Sequence, residues 1–172
     1  QLDDAVANTD RPGTPRAVAV DGPPGAGKTA LALRLAHEIK ERFPDGQLYV
    51  DLHGYSPDGH PARPHTVLEE FLIALGVHTD VLPSGLQQRA ALYRSMLDGR
   101  RVLVMLDNAL DSQQVEPLLP ASDRCAVVVT SRRRLSGLDL APHQRVTLDP
   151  MSEDESVTLL RAVIGAGRAD GD

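Results

Sequence analysis

Gly22, Gly27, Lys28 and Thr29 satisfy the spacing G-x-x-x-x-G-K-[ST] within the stretch Asp21-Gly22-Pro23-Pro24-Gly25-Ala26-Gly27-Lys28-Thr29. Each residue type has a physical reason to be there. Gly25 and Gly27 can take positive φ and let the main chain wrap closely round an anion. Pro23 and Pro24 carry no N–H, so the donors must be the amides of Gly25 through Thr29, a concave nest at a helix N-terminus. The chemistry this pattern serves is the holding of a nucleotide's phosphates. Lys28 is expected to reach the β- and γ-phosphates and Thr29 to ligate Mg²⁺. The residues expected to line the nucleotide are Gly22, Pro24, Gly25, Ala26, Gly27, Lys28, Thr29 and Ala30.

A second acid belongs with them. Asp107 closes the apolar run Val102-Leu103-Val104-Met105-Leu106, and a carboxylate there suits holding, through water, the same Mg²⁺ that Thr29 contacts. The competing reading is an Asp that caps the next turn. Asn108 follows, where an acid would be needed to deprotonate an attacking water; an amide orients water but takes no proton. Asp51 or Asp107 are the alternative bases, and Asp51 equally suits a turn cap. Arg132, after Thr130-Ser131, points towards the γ-phosphate if its strand lies beside the one feeding the phosphate loop. The bland alternative, a solvated basic turn, fits Arg133 and Arg134 better. The expected catalytic set is Lys28, Asp107 and Arg132, with Thr29 and Asp107 for the metal. His53, His60 and His65 match no usual zinc spacing and read as surface residues, while Cys125 reads as a small buried apolar residue.

Positioning these groups requires alternating strands and helices, and the sequence supplies them. Ala17–Val20 is wholly apolar, as a parallel strand buried on both faces should be. Leu31, Leu35, Ile39 and Phe43 recur at i, i+4 and predict a helix from Lys28 to Phe43. Further strands are expected at Leu48–Leu52, Val102–Asp107, Ala126–Thr130 and Arg145–Leu148. Between them, helices are expected from Thr66 with Glu69 as a capping box, from Ser84 with Gln87 likewise, and from Ser112 to Leu119. Gly76 and Gly99 should end two of them. The stretch 53–65 reads as a surface loop. Ser152 and Glu155 predict a last capped helix with Val157, Leu160 and Ile164 inward, and residues 1–8 could form one or two helical turns. The fold class is α/β: a three-layer sandwich with a central parallel five-stranded sheet in an ASCE-like order. Residues 17–165 form the nucleotide-binding domain, with linkers at 1–16 and 166–172.

The chain has 172 residues, 41% hydrophobic and 24% charged, with a net charge of −6. That length predicts one domain with a real core. The acidic balance argues against nucleic-acid or membrane binding by this segment. One cysteine excludes an intrachain disulfide, and no 18-residue apolar run or leader is visible, so a cytoplasmic location is the simplest expectation. The chain starts at Gln1 and ends in a Gly/Asp-rich tail, which leads us to expect a segment of a longer protein. Only two lysines stand against sixteen arginines, so a lysine at position 28 reads as chemically required.

Three stretches together, Gly22–Thr29, Leu103–Ala109 and Val128–Arg132, resemble the nucleotide-binding domain of NB-ARC proteins, members of the STAND class of signal-transducing P-loop ATPases. Leu48–Tyr55, and Leu148-Asp149-Pro150-Met151-Ser152 with Glu155, are similar to the version in large actinobacterial transcriptional regulators of the SARP type. The resemblance implies a switch: ADP holds a closed monomer, ATP favours an open, oligomer-forming state, and flanking domains bind DNA and sense partners. It also implies phosphate and Mg²⁺ binding at Gly22–Thr29, Mg²⁺ at Asp107 and γ-phosphate sensing at Arg132. Asn108 predicts slow hydrolysis. Two other readings stay open, a domain that binds nucleotide with little turnover and a small-molecule kinase with the 53–65 loop as its lid.

Overall fold

The computed structural model of the chain describes residues 15–56, 59–152, 154–155, 157–158 and 161. Among them, five apolar runs pair into one sheet: β1 (Arg16–Asp21), β2 (Gly46–Asp51), β3 (Val102–Ala109), β4 (Ala126–Ser131) and β5 (Arg145–Thr147). The order is β2-β3-β4-β1-β5, and every pair is parallel. This is the ASCE-like order expected, with β4 inserted between the strand that feeds the phosphate loop and β3, which carries Asp107 and runs two residues beyond the predicted end at Asp107.

The period of two along each strand sends alternate residues into two cores. Val18, Val20, Leu103, Met105 and Val128 pack against Ala32, Leu35, Ile39 and Phe43 on one face. Ala17, Val104, Leu106, Val127 and Val129 face Leu68, Leu72, Tyr93 and Leu97 on the other. The first helix, α1 (Lys28–Ile39), covers the former face and ends in a 3₁₀ turn over Lys40–Arg42. Phe43 is buried but not helical, φ −122° and ψ 67°, because Pro44 disfavours a helical residue before it.

The opposite face is covered by α2 (Pro64–Ala74) and α3 (Leu86–Leu97). Here the expected caps are wrong. Arg63 is the N-cap of α2 and Pro64 its first residue, so the helix starts two residues before Thr66; proline's fixed φ and missing N–H suit the first helical position. His65 therefore lies in α2, outside the predicted loop. Glu69 closes no capping box but accepts from the buried Arg89 of α3 at 2.6 Å. Gly85, with no side-chain cap, replaces Ser84 at the start of α3. Arg89 also donates to Pro83 O (2.6 Å) and His65 O (3.0 Å), and the Phe71 and Tyr93 rings stack at 5.9 Å, so the two helices are locked together. Burial pushes the Tyr93 hydroxyl far above its ordinary range.

The short α4 (Ser112–Val115) becomes a 3₁₀ turn at Glu116–Leu118, earlier than predicted. Pro117 lacks the N–H that would extend the α-ladder. Gly76 and Gly99 hold φ of 95° and 71° at the helix ends assigned to them. Ser152 and Glu155 do form their box: Glu155 Oε2 accepts from Ser152 N (2.8 Å) and Oγ (2.9 Å), which holds its carboxyl below the usual range. Val157, expected inward, is exposed, a short apolar residue beyond the reach of either core. Leu160, Ile164 and residues 1–8 lie outside the described residues. No helix among the described residues is long and apolar enough to cross a membrane.

Candidate functional site

β1 and β4 are register-paired to their ends, Val20 with Thr130 and Asp21 with Ser131, and Asp51 of β2 stands opposite Asp107 of β3. All the candidate groups therefore reach one edge of the sheet, where ligands bind in open α/β folds. The condition set for Arg132 holds, because its strand adjoins the one feeding the loop.

The loop leaves β1 through Gly22, whose φ is +150° and where a Cβ would run into the Leu148 carbonyl. Gly25 and Gly27 hold φ of 79° and 84°, with open space where a Cβ would project. Gly27 is the N-cap of α1. Ala26, expected among the donors, instead bonds Pro23 O at 3.3 Å. Among the described residues no acceptor takes the N–H of Gly25, Gly27, Lys28, Thr29 or Ala30. Five amides thus face an open concavity at the positive end of a helix. Lys28 Nζ folds back to donate to Pro23 O at 2.7 Å. Its pKa is pushed down, first by burial and then by the Arg132 guanidinium, with Asp107 and Asp21 pulling the other way. Lys28 and Arg132 thus bring two cations to one cleft, an arrangement that favours a phosphate.

Thr29 Oγ1 donates to the Asp107 carboxylate, 2.9 Å from Oδ1 and 3.1 Å from Oδ2, across 78 residues of chain. Asp107 is buried and accepts a further bond from Thr130 Oγ1 at 2.5 Å. Beyond Leu106 the β3–β4 register shifts, so that Ala109 pairs with Ser131. This is a bulge, with Asn108 at φ 57°, and bulges re-aim side chains beside functional sites. The Asn108 N–H leaves the ladder for Thr130 Oγ1 (2.9 Å), and its Nδ2 reaches Asp51 Oδ1 (3.3 Å). Asp51 Oδ1 also accepts from His53 N at 2.8 Å, and Oδ2 lies 3.4 Å from His53 Nδ1. The turn-capping reading of Asp51 is the one its geometry displays, although it also lines the cleft.

That cleft, about 290 Å³, is bounded by Pro24, Gly25, Lys28, Thr29, Asp51, Asp107, Asn108, Thr130 and Arg132. Arg132 is exposed, its guanidinium 4.7 Å above the Tyr55 ring, while Arg133 and Arg134 are exposed turn residues. His53 and His60 are exposed, and Cys125 is fully buried. Sequence reasoning missed two participants. Thr130 was passed over as a strand end, although a hydroxyl one residue before Ser131 could have been matched to Asp107. Tyr55 lies 77 residues from Arg132 in sequence, and no local pattern signals their meeting.

A family model described as the NB-ARC domain matches residues 2–170. The chain is 52% identical over 150 residues to the Regulatory protein AfsR of Streptomyces coelicolor and 51% identical to that of Streptomyces griseus, covering 87% of this chain. It spans only 15% of the length of either relative. Among solved structures, the Aeropyrum pernix ORC1 protein in complex with DNA aligns with a TM-score of 0.58 at 15% identity, over 94% of this chain and 45% of that one. The Aeropyrum pernix ORC2 protein, solved as ADPNP–ADP complexes, aligns at 0.55 and 17% identity, over 88% of this chain and 46% of that one. At such identities these two structures show a shared fold.

Proposed function

The chain belongs to the NB-ARC domain family, and on that premise we propose that it is an ATP/ADP-binding regulatory ATPase module, a slow switch within a larger transcriptional regulator. The observation that carries the reading is the convergence of Lys28, Thr29, Asp107 and Arg132 on one cleft from three separate stretches of chain. The five unbonded amides suit phosphate oxygens, and ORC2 was solved with adenine nucleotides on the same fold.

Thr29 Oγ1 and the Asp107 carboxylate are hard oxygen donors already gathered within 3.1 Å, so the residues fit Mg²⁺. Bound there, the ion supplies neutralisation of phosphate charge. The chain's own residues do the rest. The loop amides hold the phosphates, Lys28 exchanges Pro23 O for the β- and γ-phosphates, and the Arg132 guanidinium meets the third phosphate. Asn108 orients the attacking water without accepting its proton. Asp51 is engaged by His53 and Asn108, and Asp107 by two hydroxyls, so no carboxylate stands ready as a strong base and turnover is slow. ADP and ATP then differ in whether Arg132 is engaged. That difference is passed to flanking DNA-binding and sensor domains and favours ATP-dependent self-association; this acidic segment makes no direct DNA contact and works in the cytoplasm.

A second reading, a domain that holds nucleotide with almost no turnover, draws on the same engaged carboxylates. Incubation with Mg-ATP beside the Lys28→Ala variant separates the two. Slow phosphate release that disappears in the variant supports the switch; bound ATP without release supports the second reading. Absence of both ATP and ADP binding overturns the site itself.

A further inference from the structure

The Arg132 guanidinium makes no hydrogen bond or ion pair among the described residues; what it touches is the face of Tyr55. An exposed arginine costs side-chain entropy to fix in one place, so a residue that holds it matters to whatever it is aimed at. Tyr55 is itself held. Leu52 N–H donates to Asp107 O (2.8 Å) and Gly54 N–H to Asn108 O (2.8 Å), which ties the segment to the bulged end of β3. A Cβ on Gly54 would collide with the backbone of Asn108, Ala109 and Leu110, so only glycine allows so close an approach. Gln114 clamps the same segment by donating to Leu52 O and Ala62 O, both at 2.8 Å. On the other side, the turn after Arg132 is tied down by Arg145, which donates to Leu135 O (3.1 Å) and Leu138 O (2.7 Å). Both backbones are anchored, and the ring and the guanidinium bridge them.

The Tyr55 hydroxyl is buried without a hydrogen-bond partner. The phenol contributes its aromatic face and not its O–H. We propose that Tyr55 is the positioning residue of Arg132, an aromatic rest that holds the guanidinium at the mouth of the cleft where a third phosphate arrives. This rests on the reading of Arg132 as the group that meets that phosphate. With the guanidinium pre-placed, the entropy of ordering it does not have to be met on binding ATP. The contact also links the β3 end and the Asp51–Tyr55 segment to whichever phosphate Arg132 engages.

The test is the ratio of affinities for Mg-ADP and for a non-hydrolysable Mg-ATP analogue, measured by calorimetry on the chain. Tyr55→Leu is expected to weaken the triphosphate roughly three- to tenfold and to leave ADP affinity within about twofold. Tyr55→Phe, which keeps the ring, restores the ratio. In an Arg132→Ala background, Tyr55→Leu changes the ratio no further. A ratio that Arg132→Ala alters and Tyr55→Leu does not overturns this inference while leaving the Arg132 reading intact. Equal loss in Tyr55→Phe and Tyr55→Leu overturns it too, by assigning the effect to the hydroxyl. A ratio untouched by Arg132→Ala overturns both.

Discussion

Asn108 is constrained through its backbone and through its side chain, and the two constraints act on different properties. Its backbone sits at φ 57° in the bulge, a region that Asn and Asp enter more readily than other side-chain-bearing residues. Its side chain donates to Asp51, a bond that an acid could make only when protonated. Asn108→Asp should therefore keep the fold while adding a carboxylate beside the cleft. If a missing base limits turnover, phosphate release rises by on the order of tenfold or more, read in a steady-state assay. Lys28 offers a second handle. Its ordinary value of 10.5 is lowered by burial and by Arg132, and a bound phosphate favours the ammonium form again. The bound state then holds more protons between the lowered free pKa and the raised bound one. Nucleotide affinity is full below that window and falls as pH rises through it, by up to about tenfold per pH unit. Titrations between neutral pH and 10.5 read this slope, and Lys28→Ala abolishes it.

At the scale of elements, the strands were the easiest to read. Residues 17–20, 102–106 and 126–129 are unbroken apolar runs, and burial on both faces leaves them no alternative. The two helix starts on the far face differ from the sequence expectation. Thr66 and Ser84 carry the right atoms for capping boxes, but Pro64 sets the start of α2, and Glu69 is drawn to Arg89 20 residues away. Tertiary partners outbid local ones. The bulge at Asp107–Asn108 was illegible because it depends on Thr130, a residue of another strand. Gly54 tests how firmly that corner is built. Gly54→Ala must push the 52–55 segment off β3, at a cost of roughly 1–3 kcal/mol. Thermal unfolding should fall by about 2–4 °C per kcal/mol in a chain of this size, with the ATP-over-ADP preference lost alongside.

Across the whole molecule, the sequence placed the loop, the acid and the arginine at strand ends, and the parallel order β2-β3-β4-β1-β5 gathers those ends on one edge. What composition and periodicity lacked was depth within the cleft: Thr130 under Asp107, Tyr55 under Arg132, and Asp51 tied by His53. These are contacts across 23, 77 and 2 positions in sequence, and only the last is local. The chain spans 15% of the length of its AfsR relatives, so a switch in it gains meaning through the domains it would turn. The most direct measurement of the central claim is a calorimetric titration of ADP, with and without Mg²⁺, into the chain and into Thr29→Val. We expect one saturable site that Mg²⁺ tightens by roughly tenfold or more in the unmodified chain, with the Mg²⁺ effect largely gone in the variant. No saturable binding, or an affinity that Mg²⁺ and the Thr29 substitution both leave unchanged, would contradict a nucleotide site built on Thr29 and Asp107.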